Sequence, residues 1–484
     1  MVAGKAASAT DRPIRGIAAP RAGTVDRALL GWAALGITAL GLAGAFAFLL
    51  AVSRIPGIER LISWPIGFFY KGLVIHVTFS FVVWFLAVFG ILNALACRAA
   101  ADRNAVETPA GSIAGVAAFA GLAAAAVAMP LLFVPAFFDR GEATLNNYVP
   151  TIIDPLYYAG LVLLAIAVAG PAAALAGSLL TAGRQSLTRP LPLAMAAAVV
   201  VYALALVCFI AAGALQQFEP ITFGYNEQIF WGGGHVLQIL NTLLLIVAWS
   251  WLAARAADGP VLPRLAFFAA AGILVLLAVI APFFYLLYAP FSAAQTNAFT
   301  ALQYGLGPAA LIVAGALFVA APRPLPWARW ELQCLALSFL LFAVGGGFGL
   351  FVDGADTRTP AHYHGVIAAV TLAFMGLFYA VFLPALGKPA PRERMVRIQL
   401  HLFAWGQLAA CIGLFLAGGH GAPRKVAGDA QGLYELSARI GMGLNGFGAL
   451  VAIIGGILFV WLVARALLRH EAIRPRILVS RFWR

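Results

Sequence analysis

"TPAHYHGVIAAV" (Thr359 to Val370) sets two histidines, His362 and His364, two residues apart at the start of a long apolar run. A helix turns about 100° per residue, so positions i and i+2 point roughly 200° apart, onto opposite faces. Ionisable side chains within lipid-spanning helices are costly and mark ligand or ion sites. The stretch therefore raises the question of what stands on each side of it.

The sequence around it belongs to a membrane. Of 484 residues, 63% are hydrophobic and 10% charged, and the mean hydropathy is +0.95. Stretches long enough to cross a hydrocarbon core of roughly 30 Å recur twelve times, over 28–52, 67–97, 112–136, 152–178, 191–214, 227–254, 264–288, 298–322, 331–352, 360–386, 397–418 and 433–467. They predict an all-α integral membrane protein: a twelve-transmembrane-helix domain over 28–467, between an N-terminal arm, 1–27, and a basic C-terminal tail, 468–484. The arm carries Arg12, Arg15, Arg21 and Arg27 and lacks the short apolar region and cleavage site of a secretory signal, so it reads as a retained cytoplasmic tail.

Charge placement sets the orientation. With the N terminus inside, the outer segments hold eight of the 31 lysines and arginines (Arg54, Arg60, Lys71, Arg140, Arg358, Arg424, Lys425 and Arg439), and the inner segments hold the other 23. That asymmetry follows the positive-inside rule and puts both termini in the cytoplasm of a bacterial-type plasma (inner) membrane. The net charge of +13 thus implies a lipid-facing protein with no nucleic-acid site. Cys97, Cys208, Cys334 and Cys411 stand singly, without CxxC or CxxCH spacing. They read as small apolar packing residues, and neither a disulfide framework nor a covalently attached heme is suggested. Many of the 50 glycines fall at small-xxx-small spacing, which lets membrane helices approach closely.

Of seven histidines, His470 falls in the tail, His420 in the last outer loop and His401 at the inner start of span 11. All three read as solvated or interfacial. The other four, His76 in span 2, His235 in span 6, and His362 and His364 in span 10, lie just past the outer ends of even-numbered spans. At about 1.5 Å per residue they share one layer in the outer part of the membrane. A lone membrane histidine is satisfied by one carbonyl, whereas four at one depth favour a buried cofactor, and histidine is the usual axial ligand of heme iron. His362 and His364 point apart and fit two cofactors, one on each side of span 10. No Glu-x-x-His pair occurs in the spans, which weakens a di-iron carboxylate reading.

These residues resemble subunit I of the heme-copper oxidase superfamily, which includes cytochrome c oxidases and nitric oxide reductases. "AHYHGVIAAVTLAFMGLFY" is similar to the family's span-10 motif, which implies His362 as ligand of a high-spin heme and His364 as ligand of a low-spin heme. "VIHVTFSFVVWFL" resembles the span-2 motif, implying His76 as the other low-spin ligand. "YNEQIFWGGGHVLQIL" resembles the segment around the span-6 copper histidine, implying His235, and "GAPRK" resembles the pair that meets heme propionates, implying Arg424 and Lys425. The resemblance implies electrons passing from the bis-His heme to a high-spin heme that binds O2 or NO, with His362 and His235 flanking the reaction site. It also implies a cytochrome c, or a copper- or cytochrome-bearing partner subunit, as donor.

The sequence departs from that pattern on one side. Spans 7 and 8 contain no histidine, and a loose alignment puts Thr296 and Asn297 where the family has an adjacent histidine pair. Ile239 stands four residues after His235, where many oxidases have tyrosine, and Leu237, Gln238 and Asn241 bring no acid. One imidazole with amide and hydroxyl neighbours is a poor copper site, which puts copper or another second metal at His235 in doubt. Proton relays need acidic or basic groups, and apart from Glu227 the spans hold few, so pumping is not implied. Tyr202, Tyr285, Tyr288, Thr300 and Gln303 could line a water chain but equally pack ordinary helices. Three further readings stay open: a nitric oxide reductase-like enzyme, a non-catalytic heme electron-transfer or gas-sensing protein, and a secondary transporter, which would share the twelve-span layout but normally shows repeated halves. A purely structural membrane subunit predicts no heme at all.

Overall fold

The computed structural model describes residues 24–55, 58–61, 65–100, 109–182, 189–352 and 354–469. The arm before residue 24 and the tail from His470 onward lie outside the described residues. Among the described residues twelve helices are long and apolar enough to span a membrane: α1 Arg27–Ser53, α2 Phe68–Ala100, α3 Gly115–Phe137, α4 Pro155–Leu180, α5 Pro190–Leu215, α6 Phe223–Ala256, α7 Arg264–Leu287, α8 Ala293–Ala320, α9 Trp330–Phe351, α10 Arg358–Ala385, α11 Glu393–Gly419 and α12 Leu436–Leu468. They follow the twelve apolar runs, because a backbone in hydrocarbon must satisfy its own hydrogen bonds and a helix does so within one segment. The largest boundary shift is at α8. Ser292 Oγ there accepts from Gln295 N at 3.3 Å, and Gln295 Oε1 accepts from Phe291 N at 2.8 Å. This reciprocal cap starts the helix ahead of its apolar run.

Burial divides the helices into two sets. The most apolar stretches of α2, α6 and α10 are 83%, 89% and 89% buried, whereas the other nine range from 28% to 50%. The three helices that carry the layered histidines are therefore the three at the centre. Trp84 and Phe85 of α2 meet Phe374 of α10 at ring distances of 6.5 and 5.3 Å, and Trp84 stacks on Phe378 at 5.4 Å. Both helices contain a π-helical segment, Thr78–Val83 and Phe378–Phe382, a feature frequent at functional sites. Around this centre the outer helices turn large apolar side chains outward, among them Val116, Ile166, Ile210, Leu265 and Leu311, as lipid-facing helices do.

Loop contacts define the two ends of the bundle. At one end Lys71 pairs with Asp139, Arg424 reaches Asn147, Gln431 donates to the Arg54 carbonyl, and Asp356 bridges Pro423. At the other, Arg98 donates to Ala385 O, Arg189 to Ala99 O, Arg329 to Arg255 O and Arg397 to Ala328 O. Three of these arginines hold carbonyls at helix C-termini, a favourable use of cations there, and Arg397 holds one in the turn before α9. At the first end the α3–α4 connection forms a small hairpin, with β1 Ala143–Thr144 antiparallel to β2 Thr151–Ile152. Gly345 of α9 and Gly365 of α10 sit backbone to backbone: a Cβ on Gly345 would come within 2.5 Å of Val366 N.

Candidate cofactor site

Residues 358–364 open α10 beneath the loops of the first end, and the two histidines diverge there as their spacing requires. His362 turns toward α9, where its Nδ1 lies 2.7 Å from Gly345 O. His364 turns toward α2, close enough to His76 and Arg54 to interact electrostatically, with the Tyr363 ring stacked against it at 5.4 Å. His76 Nδ1 lies 2.9 Å from Ala43 O of α1. A carbonyl only accepts, so each of these nitrogens carries the proton, and the neutral ring presents Nε2 as a free base. Among the described residues no hydrogen-bond partner meets Nε2 of His76 or His362. His76, His362 and His364 also keep accessible surface although they lie on the central helices, so they border interior space.

Cations gather above the α2–α10 pair. Arg424 and Arg54 both act electrostatically on Tyr363. Arg54, which closes α1 and is absent from the sequence-based site, has a buried Nε with no partner, and burial pulls its guanidinium below the ordinary value. Lys425, held at φ 63°, donates to Leu145 O. Burial and, after it, the Arg424 charge lower its ammonium to about 8 against the opposing pull of Glu227.

His235 is placed differently. It is 1% exposed and both ring nitrogens are engaged: Nδ1 with Trp231 O at 2.7 Å, Nε2 with the Tyr148 hydroxyl at 2.8 Å. Tyr148 comes from the β1–β2 hairpin, and burial, aided by the Glu227 charge, raises its phenol pKa. The run Gly232-Gly233-Gly234 makes room for the rings around His235, since a Cβ on each would strike Phe299 and Tyr285, Phe209 and Tyr148 respectively. Thr296 and Asn297 do not replace the missing histidine pair. Because α8 begins at Ala293, Asn297 is exposed, and Thr296 offers its carbonyl to Trp231 Nε1 at 3.2 Å. It is Phe299 that turns inward, its ring 6.1 Å from His235. Glu227 grips the hairpin tip, accepting from Asn147 N at 2.8 Å and from Asn147 Nδ2 at 2.6 Å.

The remaining polar residues are structural. His420 meets Glu435, His401 meets Gln333 and Trp405, Tyr202 donates to Ala165 O, and Gln303 donates to the His235 carbonyl. The four cysteines are free.

Twelve spanning helices with a layer of histidines on three central ones define a polytopic membrane protein of heme-copper oxidase subunit I type. The family model described as Cytochrome C and Quinol oxidase polypeptide I matches residues 27–458, and the chain belongs to that family. Its fold is similar to that of a heme-copper terminal oxidase dimer solved by cryo-electron microscopy, with a TM-score of 0.76 at 15% identity over 95% of this chain and 86% of that one. It is 23% identical over 505 residues to an uncharacterized protein of Rickettsia prowazekii (strain Madrid E), covering 90% of this chain and 95% of that protein. An uncharacterized protein of Aquifex aeolicus (strain VF5) is 28% identical over 375 residues, covering 74% of this chain and 84% of that protein.

Members of the family bind hemes and copper, and the two groups fare differently against these residues. Hemes fit: His76 and His362 have carbonyl-anchored Nδ1 and an unpartnered Nε2, and the orphaned Arg54 Nε suits a propionate oxygen. A second metal does not fit. His235 has both nitrogens engaged, its neighbours are Trp231, Phe299 and Tyr148, and no group of three or more His, Cys, Asp or Glu among the described residues could hold an ion.

Proposed function

We propose that the chain is a heme-bearing respiratory membrane subunit that takes electrons into a low-spin heme between His76 and His364 and delivers them to a high-spin heme on His362. Bound there, the hemes supply one-electron chemistry and an iron position for a small gas, O2 or NO. The protein's part is positional. The carbonyls of Ala43 and Gly345 fix the tautomer and direction of His76 and His362, so that Nε2 faces inward. Arg54, Arg424 and Lys425 offset propionate charge at one end of the bundle. The observation that carries this reading is the pairing, on central helices, of an anchored Nδ1 with an accessible Nε2 that meets no hydrogen-bond partner among the described residues. The electron donor is a cytochrome c or a copper- or cytochrome-bearing partner subunit, and the activity class is oxidoreductase, cytochrome c oxidase-like or nitric oxide reductase-like. We place the chain in a bacterial inner membrane with both termini cytoplasmic, an orientation that the charge asymmetry of the loops supports.

A second reading, a heme electron-transfer or gas-sensing protein without turnover, is favoured by the engagement of His235 by Tyr148. Reduced-minus-oxidised and CO-difference spectra of the purified protein test both. A bis-histidine heme together with a CO-reactive heme is the expected result, and absence of heme overturns the proposal. Steady O2 or NO consumption with a reduced donor separates the enzyme from the sensor.

A further inference from the structure

We propose that the Tyr148 hydroxyl occupies the coordination position of His235, so that phenol and imidazole form a metal-free pair and this chain binds no second metal there. The inference rests on the two-heme reading above and concerns the opposite wall of the site.

The direction of the bond follows from the acceptors present. Trp231 O can only accept, so the neutral His235 ring carries its proton on Nδ1, 2.7 Å away. Nε2 is then a base, and the hydroxyl 2.8 Å from it must be the donor. Nε2 is the nitrogen a metal would need, and its lone pair is already engaged. Moving Tyr148 aside would leave a single imidazole among aromatic rings, whereas copper favours several nitrogen or sulfur donors.

Tyr148 is also a built feature. Its backbone is held at φ 65°, a left-handed conformation that persists in a side-chain-bearing residue only where the surroundings impose it. Those surroundings are identifiable. Asn147 is clamped to Glu227 by two bonds, and Arg424 donates to the same Asn147 side chain at 3.4 Å. Asn226 of α6 donates to Thr144 Oγ1 in β1 at 2.9 Å, while Tyr158 of α4 donates to Asn226 at 2.9 Å. Gly234 lies directly under the ring, where a Cβ would come within 2.5 Å of Tyr148 Cβ. Two helices and the last loop thus hold the hydroxyl against His235. Beside the pair a small cavity opens between α2 and α6, lined by Phe81, Phe85, Val149 and Leu237 with Gln238 and Asn241. That lining suits a neutral molecule of about the size of water or a diatomic gas, and it offers a cation no charge.

The test uses the full chain with its hemes, incubated with Cu²⁺ or Zn²⁺, desalted and assayed for metal per chain. Wild type is expected to retain no more of either ion than His235→Ala. Tyr148→His, which sets a second imidazole where the hydroxyl stood, is expected to gain an equivalent of copper with nitrogen hyperfine structure in its EPR spectrum. Retention of one equivalent by wild type that His235→Ala loses overturns the proposal, as does a folded Tyr148→His that gains none. Nitrogen-15 NMR of labelled histidine provides an independent readout: Tyr148→Phe should shift one Nε2 resonance, and an unchanged spectrum contradicts the pair. Heme content of the same samples is measured separately, so a chain without heme would refute the proposed function and leave the metal result standing.

Discussion

The α2–α10 side of the bundle holds His76, His362 and His364, which keep accessible surface, and the α6–α8 side holds His235, which is 1% exposed; the two sides use their histidines in opposite ways. On the first side the backbone holds Nδ1 of His76 and of His362, and among the described residues Nε2 meets no hydrogen-bond partner. On the second, His235 has the same backbone anchor but passes Nε2 to Tyr148. Lying on a central helix does not separate the two kinds of histidine; exposure and the state of the second ring nitrogen do. The aromatic surroundings agree, since Trp231, Phe299 and Tyr148 close around His235, while an unpaired guanidinium nitrogen of Arg54 faces the other side.

Four changes should break or sharpen this contrast. The largest effect is expected from the α10 pair: His364→Ala abolishes the low-spin spectrum, whereas His362→Ala removes CO binding and keeps the low-spin bands. Similar spectra from the two variants contradict the two-sided assignment. Glu227→Ala releases the hairpin tip beside His235. Losing hydrogen bonds to a charged group should lower stability by about 1.5–3 kcal/mol, read as a lower thermal midpoint in detergent with the low-spin bands unchanged. Gly345→Ala drives a Cβ to 2.5 Å from Val366 N and disturbs the carbonyl that anchors His362. Overpacking should cost about 1–3 kcal/mol and weaken CO binding, while Gly346→Ala, with nothing within 4 Å, leaves both unchanged.

The smallest effect is electrostatic. The Lys425 ammonium is lowered from 10.5 to about 8 by burial and by Arg424. Between those values the unfolded chain binds more protons than the folded one, so this group's penalty is full below about 8 and is relieved as pH rises to 10.5. Stability of the heme-free chain should therefore rise across that window, and Lys425→Met should flatten the rise in a pH series of denaturation midpoints.

The twelve helices were legible because hydrocarbon thickness imposes a length on every span. The histidines of α2, α6 and α10 could be picked out because each stands in the first part of an even-numbered span. Tyr148 and Arg54 were not legible, since each joins the site through contacts far along the chain, from a loop and a helix end that carry no periodic signal. Glu227 was visible at the mouth of α6, but its partner Asn147 lies 80 residues away. One missed signal was local: Ser292 and Gln295 form a capping pattern that starts α8 early and turns Asn297 outward. Reading it would have removed Asn297 as a stand-in for the missing histidine pair.

The contrast between the two sides is tested most directly by heme content and spectra of three proteins side by side: wild type, His364→Ala and His235→Ala. We expect a low-spin and a CO-reactive heme in wild type, loss of the low-spin heme in His364→Ala, and retention of both in His235→Ala. Loss of heme from His235→Ala, or a complete low-spin spectrum in His364→Ala, would contradict the account.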